Sequence, residues 1–153
     1  MKKLIPLIFA LLPGLVMAGT LERSDNLQQI GQVALERNKP VVLFFNSGYC
    51  LPCEKLKERA LGAIIRFDQF PEGTQFIELF IDRKTPIKDF YGENIGMEDF
   101  ALFYNVTELP TLVFVDGEGS QIARPIVNNG AYEFFSHVLN SQLDDALKTL
   151  NNK

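Results

Sequence analysis

The spacing of hydrophobic positions changes along the chain, and each change marks an element. Residues 4–16 form an almost unbroken apolar run, interrupted only by Pro6, Pro13 and Gly14. Beyond Gly19 the pattern turns helical: Leu27, Ile30, Val33 and Ala34 share one face, with Ser24 or Asp25 as the cap and an end near Asn38, before Pro40. Residues 41–45 are continuously apolar, β-branched and then aromatic, between Pro40 and Asn46-Ser47-Gly48, which suits a strand buried on both faces. Residues 52–61 read as a helix, with Leu56, Ala60 and Leu61 inward and Glu54, Lys55, Lys57, Glu58 and Arg59 in solvent. Residues 75–81 are a second strand, and the polar stretch 82–96, holding Pro86, Gly92 and Gly96, is a loop or insertion. Residues 97–104 form a short helix with Phe100 and Phe103 inward; 111–115 and 121–124 flank the hairpin signal Asp116-Gly117-Glu118-Gly119. Residues 132–150 close the chain as an amphipathic helix, with Phe135, Leu139, Leu143, Ala146 and Leu150 inward. The order α-β-α-β-α-β-β-α predicts an α/β sandwich with a mixed central sheet. No repeat, low-complexity tract or linker divides it.

The opening run has the pattern of a leader. Lys2 and Lys3 precede it and Val16-Met17-Ala18 follows; basic, apolar and small-residue regions in that order describe a secretory signal peptide. The expectation is that 1–18 are removed, with a cut near Ala18, and that 19–153 form one exported, periplasmic domain. A retained anchor is the alternative, but the apolar run is shorter than the ~20 residues a span needs. Losing Lys2 and Lys3 leaves 13 of the 15 basic residues against 19 acidic ones, a charge of −6 in place of −4. That acidity gives no electrostatic basis for binding nucleic acid. With 46% hydrophobic and 22% charged residues the chain is an ordinary globular one, not a disordered one. Two cysteines and one histidine are too few for a disulfide scaffold or a histidine-built metal site.

Those two cysteines lie together, as Cys50-Leu51-Pro52-Cys53, where the first buried strand gives way to a helix. Residues three apart on a first helical turn come close enough for a disulfide, whose Cα separation is typically about 5.5 Å. The first cysteine sits among unpaired N–H groups at the positive end of the helix dipole, which favours its thiolate. Pro52 is tolerated in the first turn, where its missing N–H is not needed. Cys50 is therefore the candidate attacking thiolate and Cys53 the resolving thiol. Three other readings compete. A structural disulfide would close a very short loop and constrain the unfolded chain little. A zinc site would need two more ligands, where only His137 and scattered carboxylates remain. Haem attachment would need a histidine where Glu54 stands. The strand–C-x-x-C–helix context favours redox chemistry.

Two segments carry a family resemblance. VVLFFNSGYCLPCEKLKERAL, from Val41, resembles the strand–active-site–helix unit of the thioredoxin superfamily. About sixty residues on, YNVTELPT followed by LVFVDGEG resembles its helix, cis-proline loop and hairpin. The resemblance spans most of the chain after the leader and implies a three-layer α/β/α sandwich. Export, the DGEG hairpin and the last helix are similar to exported, SoxW-like members. By this resemblance Pro110 is a cis-proline against the C-x-x-C loop, and Leu109 offers backbone hydrogen bonds to an extended substrate segment. Tyr49, Leu51 and Pro52 complete the substrate-binding residues. The resemblance implies no cofactor beyond the Cys50–Cys53 disulfide. It also implies protein thiol or disulfide substrates; an oxidising compartment calls for a membrane-bound electron donor or acceptor, and with no added dimerisation segment a monomer is expected. Leu51-Pro52 resembles the reductase side of the family more than the strongly oxidising side.

The departures bear on mechanism. Tyr49 stands where the family usually has tryptophan, and Phe44 where it usually has a buried aspartate. Glu78 falls where the family has a lysine beside that aspartate. A desolvated carboxylate there would have a raised pKa, making Glu78 a candidate proton acceptor; a solvated strand-edge glutamate is the plain alternative. Phe90 and Tyr91 in the 82–96 stretch either border a partner groove or pack over the core. His137, on the last helix away from the cysteines, has no assigned role. The missing acid at Phe44 favours a second reading: a non-catalytic thioredoxin-fold binding or chaperone-like module holding a partner protein or a metal.

Overall fold

Alternating side chains on the central strands divide the core in two. The computed structural model describes residues 21–128 and 130–153; the expected leader and its cut near Ala18 lie outside the described residues. Strand β1 is Glu22–Arg23, helix α1 Leu27–Arg37 and strand β2 Val41–Asn46. Helix α2, Leu51–Leu56, runs through a π-helical turn, Lys57–Leu61, into α3, Gly62–Arg66. Strand β3 is Gln75–Phe80, and β4, Ile87–Lys88, pairs antiparallel with β5, Asn94–Ile95. Helix α4, Met97–Phe103, precedes strands β6, Thr111–Val115, and β7, Ile126–Val127. A 3-10 turn, Tyr132–Phe134, leads into α5, Phe135–Asn151. The main sheet has the order β1-β3-β2-β6-β7; β1, β3 and β2 are parallel, while β6 runs antiparallel to β2 and β7 to β6.

From β2, Leu43 and Phe45 enter one core cluster with Leu27, Ile30 and Ala34 of α1 and Phe100 of α4. Val42 and Phe44 enter the other, with Leu56, Leu61 and Ile64 after the cysteine loop and Phe135, Leu139 and Leu143 of α5. Helices thus cover both faces, giving the expected three-layer α/β/α architecture. Every residue of β2 is buried, as its unbroken apolar run required.

Several local expectations are corrected. The cap of α1 is Asn26, whose Oδ1 accepts from Gln29 N–H at 3.3 Å; Ser24 Oγ in turn accepts from Asn26 N–H. The cysteine helix continues past residue 61 to Arg66. Phe103 is 69% exposed, because the 3.6-residue period turns Met97, Phe100, Ala101 and Tyr104 inward instead. The stretch 82–96 is not plain loop: it forms the β4–β5 hairpin, with Ile87 and Phe90 buried and Tyr91 exposed. Residues 121–124 make only one bridge, Gln121 to Val115. Arg124-Pro125 intervenes, Pro125 has no N–H to give, and the ladder resumes at Ile126 and Val127 opposite Leu112 and Thr111.

Candidate active site

The β2–α2 junction is built by groups that close the loop on itself. Asn46, fully buried at the end of β2, accepts from Ser47 N–H through Oδ1 at 2.7 Å. Asp82, just beyond β3, accepts from Gly48 N–H at 2.9 Å. Cys50 N–H donates to the Ser47 carbonyl at 3.3 Å, and Cys50 becomes the N-cap of α2, with Pro52 in the first turn. Cys50 Sγ accepts from Cys53 N–H at 3.2 Å, and the Cys50 carbonyl accepts from Cys53 and Glu54 N–H. One N–H and the helix dipole point at this sulfur, the arrangement that stabilises a thiolate. The two cysteines are joined in a disulfide, with Cα atoms 5.3 Å apart. Cys50 is partly exposed, and Cys53 lies wholly buried in the cluster with Phe44.

The residues expected around this pair are placed as follows. Tyr49 is 97% and Leu51 64% exposed, and Pro52 is exposed beside them. The Leu109-Pro110 bond is cis. Pro110 immediately precedes Thr111, which lies opposite Phe45 in the β2–β6 ladder, so the proline loop and the cysteine loop occupy the same end of the sheet. Leu109 is half-buried and packs against both core clusters, and the Pro110 carbonyl accepts from Asn128 N–H at 2.8 Å. His137 is exposed on α5. Among the described residues no group of three or more His, Cys, Asp and Glu side chains is placed to hold a metal ion.

Glu78 is neither of the things expected of it. Its register neighbours are Phe44 on β2 and Arg23 on β1, and only 5% of its surface is exposed, so it is no solvated edge residue. It lies on the Cys53 face of the sheet, since Phe76, two residues earlier, enters the Cys53 cluster. Three donors meet its carboxylate: Asn46 Nδ2 at 2.8 Å, Lys57 Nζ at 2.9 Å and Arg23 Nε at 2.9 Å. Burial pushes this carboxyl up, but the hydrogen bonds from Lys57, Arg23 and Asn46 and the charge of Lys57 outweigh it and hold the group below its ordinary value. The expected upward shift is therefore reversed. Lys57, expected in solvent, has a side chain only 21% exposed and pairs with both Glu78 and Glu54. Burial lowers its pKa, and the hydrogen bonds from Lys57 to Glu54 and Glu78, with their charges, raise it by more. Lys57 also lies one helical turn beyond Cys53, with its N–H donating to the Cys53 carbonyl.

Asn46, Lys57, Arg23 and Asp82 are contributors that sequence reasoning passed over. Only Lys57 left a signal, being four residues after Cys53, a spacing that puts two side chains on one helix face. A lone carboxylate in the apolar strand QFIELF also implied a cation nearby, because a buried charge needs a partner.

No protein-family model matches the chain, and no curated protein sequence matches it significantly. Solved structures do resemble it. The DsbH oxidoreductase superposes with a TM-score of 0.60 at 19% identity, covering 88% of this chain and 92% of that one. Oxidised thioredoxin O2 from Arabidopsis thaliana gives 0.53 at 18% identity, covering 79% and 92%. Oxidised mitochondrial thioredoxin 3 from Saccharomyces cerevisiae gives 0.51 at 19%, covering 82% and 94%. The chain has the thioredoxin fold.

Proposed function

We propose that this protein is an exported, periplasmic thiol–disulfide oxidoreductase that works as a reductase of protein disulfides. The observation that carries the reading is the asymmetry of the pair: Cys50 is partly exposed and its sulfur accepts an N–H, while Cys53 is wholly buried. In the reduced form the Cys50 thiolate attacks one sulfur of a substrate disulfide. The substrate S–S bond breaks, the unattacked sulfur leaves as a thiolate, and a Cys50–substrate mixed disulfide forms. Cys53 then gives up its proton and attacks Cys50 Sγ; the Cys50–Cys53 bond forms, the Cys50–substrate bond breaks, and the substrate sulfur it held leaves as a thiol. Two electrons pass from the dithiol to the substrate, and a membrane-bound dithiol donor restores the pair.

Glu78, saturated by three donors and held ionised, is a poor acceptor for the Cys53 proton; its part is to hold Lys57 and Asn46, and the departing substrate thiolate takes the proton. Tyr49, Leu51, Pro52, Leu109 and Pro110 form the surface on which an extended substrate segment lies. The likeness to the DsbH oxidoreductase supports this chemistry. Export rests on the leader pattern of 1–18, and the likeness to SoxW-like proteins on the motifs quoted above.

Insulin reduction with a dithiol donor tests the proposal. Wild type turns over; Cys50→Ser abolishes turnover; Cys53→Ser accumulates mixed disulfides with substrate proteins. No turnover together with no trapped mixed disulfide would overturn it in favour of the binding module that Phe44, in place of an acid, suggests.

A further inference from the structure

A second recess lies at the other end of the sheet and on its other face. The cysteine loop adjoins the Thr111 end of β6; this recess adjoins the turn that follows Val115, about 16 Å further along the strand. It is a cleft of about 390 Å³ between that turn, the β4–β5 hairpin and α4. Such a volume falls in the range of small-ligand pockets, about 300–1,000 Å³.

Its lining is largely aromatic, and among the described residues its charged groups are carboxylates. Phe90, Phe100 and Tyr104 are buried at its base, while Tyr91 and Phe103 are 73% and 69% exposed. The backbone that carries Tyr91 and the ring of Phe103 are held in place. Asp89 Oδ1 accepts from Tyr91 N–H and Glu93 N–H, both at 2.9 Å, which closes the hairpin tip that carries Tyr91. Phe103 meets Tyr104 edge-on, with ring centroids 5.0 Å apart. The Tyr104 hydroxyl donates to the Gly119 carbonyl at 2.7 Å, and Gly119 sits so close that a Cβ would come within 2.6 Å of the Phe90 ring. Asp89 and Glu118 are the charged lining residues, and among the described residues no lysine, arginine or histidine lines the cleft. Lys153 is engaged by Asp116, which is not part of the lining. Burial, then the charge of Asp116, pushes the Tyr104 hydroxyl up.

We infer that this cleft binds a small organic cation, of the alkylated-ammonium class. The faces of aromatic rings are negative, and a cation cloaked in methyl groups satisfies them and the apolar base together. An anion is repelled by Asp89 and Glu118, a hydrated metal ion gains nothing from the rings, and a neutral apolar ligand makes no use of the carboxylates. The inference is independent of the redox reading.

The test is an NMR titration of the purified protein with choline and with 3,3-dimethylbutan-1-ol, its uncharged isostere. Choline should shift the Tyr91, Phe103 and Gly119 signals and bind at least about tenfold more tightly than the alcohol. Tyr91→Ala and Phe103→Ala remove exposed rings and should leave the amide spectrum folded while weakening choline by about fivefold or more. Glu118→Gln should weaken it about twofold, and Cys50→Ser should leave it unchanged. Equal affinity for the alcohol, or choline binding that survives both aromatic substitutions, would overturn the inference, as would no shift at all at high millimolar choline.

Discussion

Glu78 decides the electrostatics beneath the cysteines, because one buried carboxylate collects a cation from the π turn after α2, another from β1 and an amide from β2. A carboxyl whose pKa is lower in the folded chain than in the unfolded one binds fewer protons when folded. Its stabilisation is therefore full above the unfolded value, near 4.5, and is lost as pH falls through the folded value. Lys57 works in the opposite sense: its raised pKa contributes stability that is full below 10.5 and lost as pH rises through the folded value. Urea unfolding of the oxidised protein should show a midpoint that declines below about pH 4.5. Glu78→Gln should flatten that acid decline and cost about 1–3 kcal/mol at pH 7, below the full cost of breaking a buried pair because Arg23 is largely exposed and can rehydrate. An unchanged acid limb in the variant would show that Glu78 is not the group responsible. The sequence placed Glu78 beside Phe44 correctly, yet misjudged the direction of its shift. Its cations stand 55 and 21 residues away, and no local pattern announces partners at such separations.

The cysteine helix shows how one element can serve both loop and network. Gly62 N–H reaches back five residues to the Lys57 carbonyl, closing the π turn, and a Cβ at Gly62 would lie 2.6 Å from that oxygen. π turns inside helices are often found at functional sites. Here the turn begins at the lysine that reaches Glu78, in the helix that begins at Cys50. Gly→Ala in an ordinary helix interior stabilises by roughly 0.5–1 kcal/mol. At Gly62 the clash with backbone should reverse the sign, so Gly62→Ala should destabilise by about 1–3 kcal/mol in urea unfolding. A stabilised variant would mean that the turn relaxes to regular α-helix at no cost. A glycine after the apolar position Leu61 has the look of a helix end, so the sequence alone does not announce the continuation to Arg66. The long elements, β2, β3, β6 and α5, were legible because each carries a sustained apolar pattern. Two-residue strands such as β1 and β7 carry none, and their pairing is fixed by β3 and β6.

At the scale of the whole molecule, the site joins two stretches some sixty residues apart, and antiparallel β6 brings Pro110 to the end of β2 where Cys50 begins. Both stretches could be read from sequence because each has its own local signature, whereas the distal cleft is assembled from a hairpin, a helix and a turn with no common motif. The same closed unit links electron transfer to folding. Reduction and unfolding form a thermodynamic cycle, so the difference in unfolding free energy between oxidised and reduced chains equals the shift in reduction potential that folding imposes on the pair. Each 30 mV by which folding lowers the potential is about 1.4 kcal/mol of additional stability for the oxidised form. A protein poised to give electrons away has a low potential, so the reductase reading requires the Cys50–Cys53 disulfide to stabilise the fold. Its loop is too short for chain entropy to supply that difference through the unfolded state alone. The oxidised protein should therefore unfold at higher urea concentration than the same protein held under excess dithiol. If the reduced form were the more stable, as in a strong oxidant whose thiolate the fold favours, electrons would flow the other way and the proposed direction would have to be reversed.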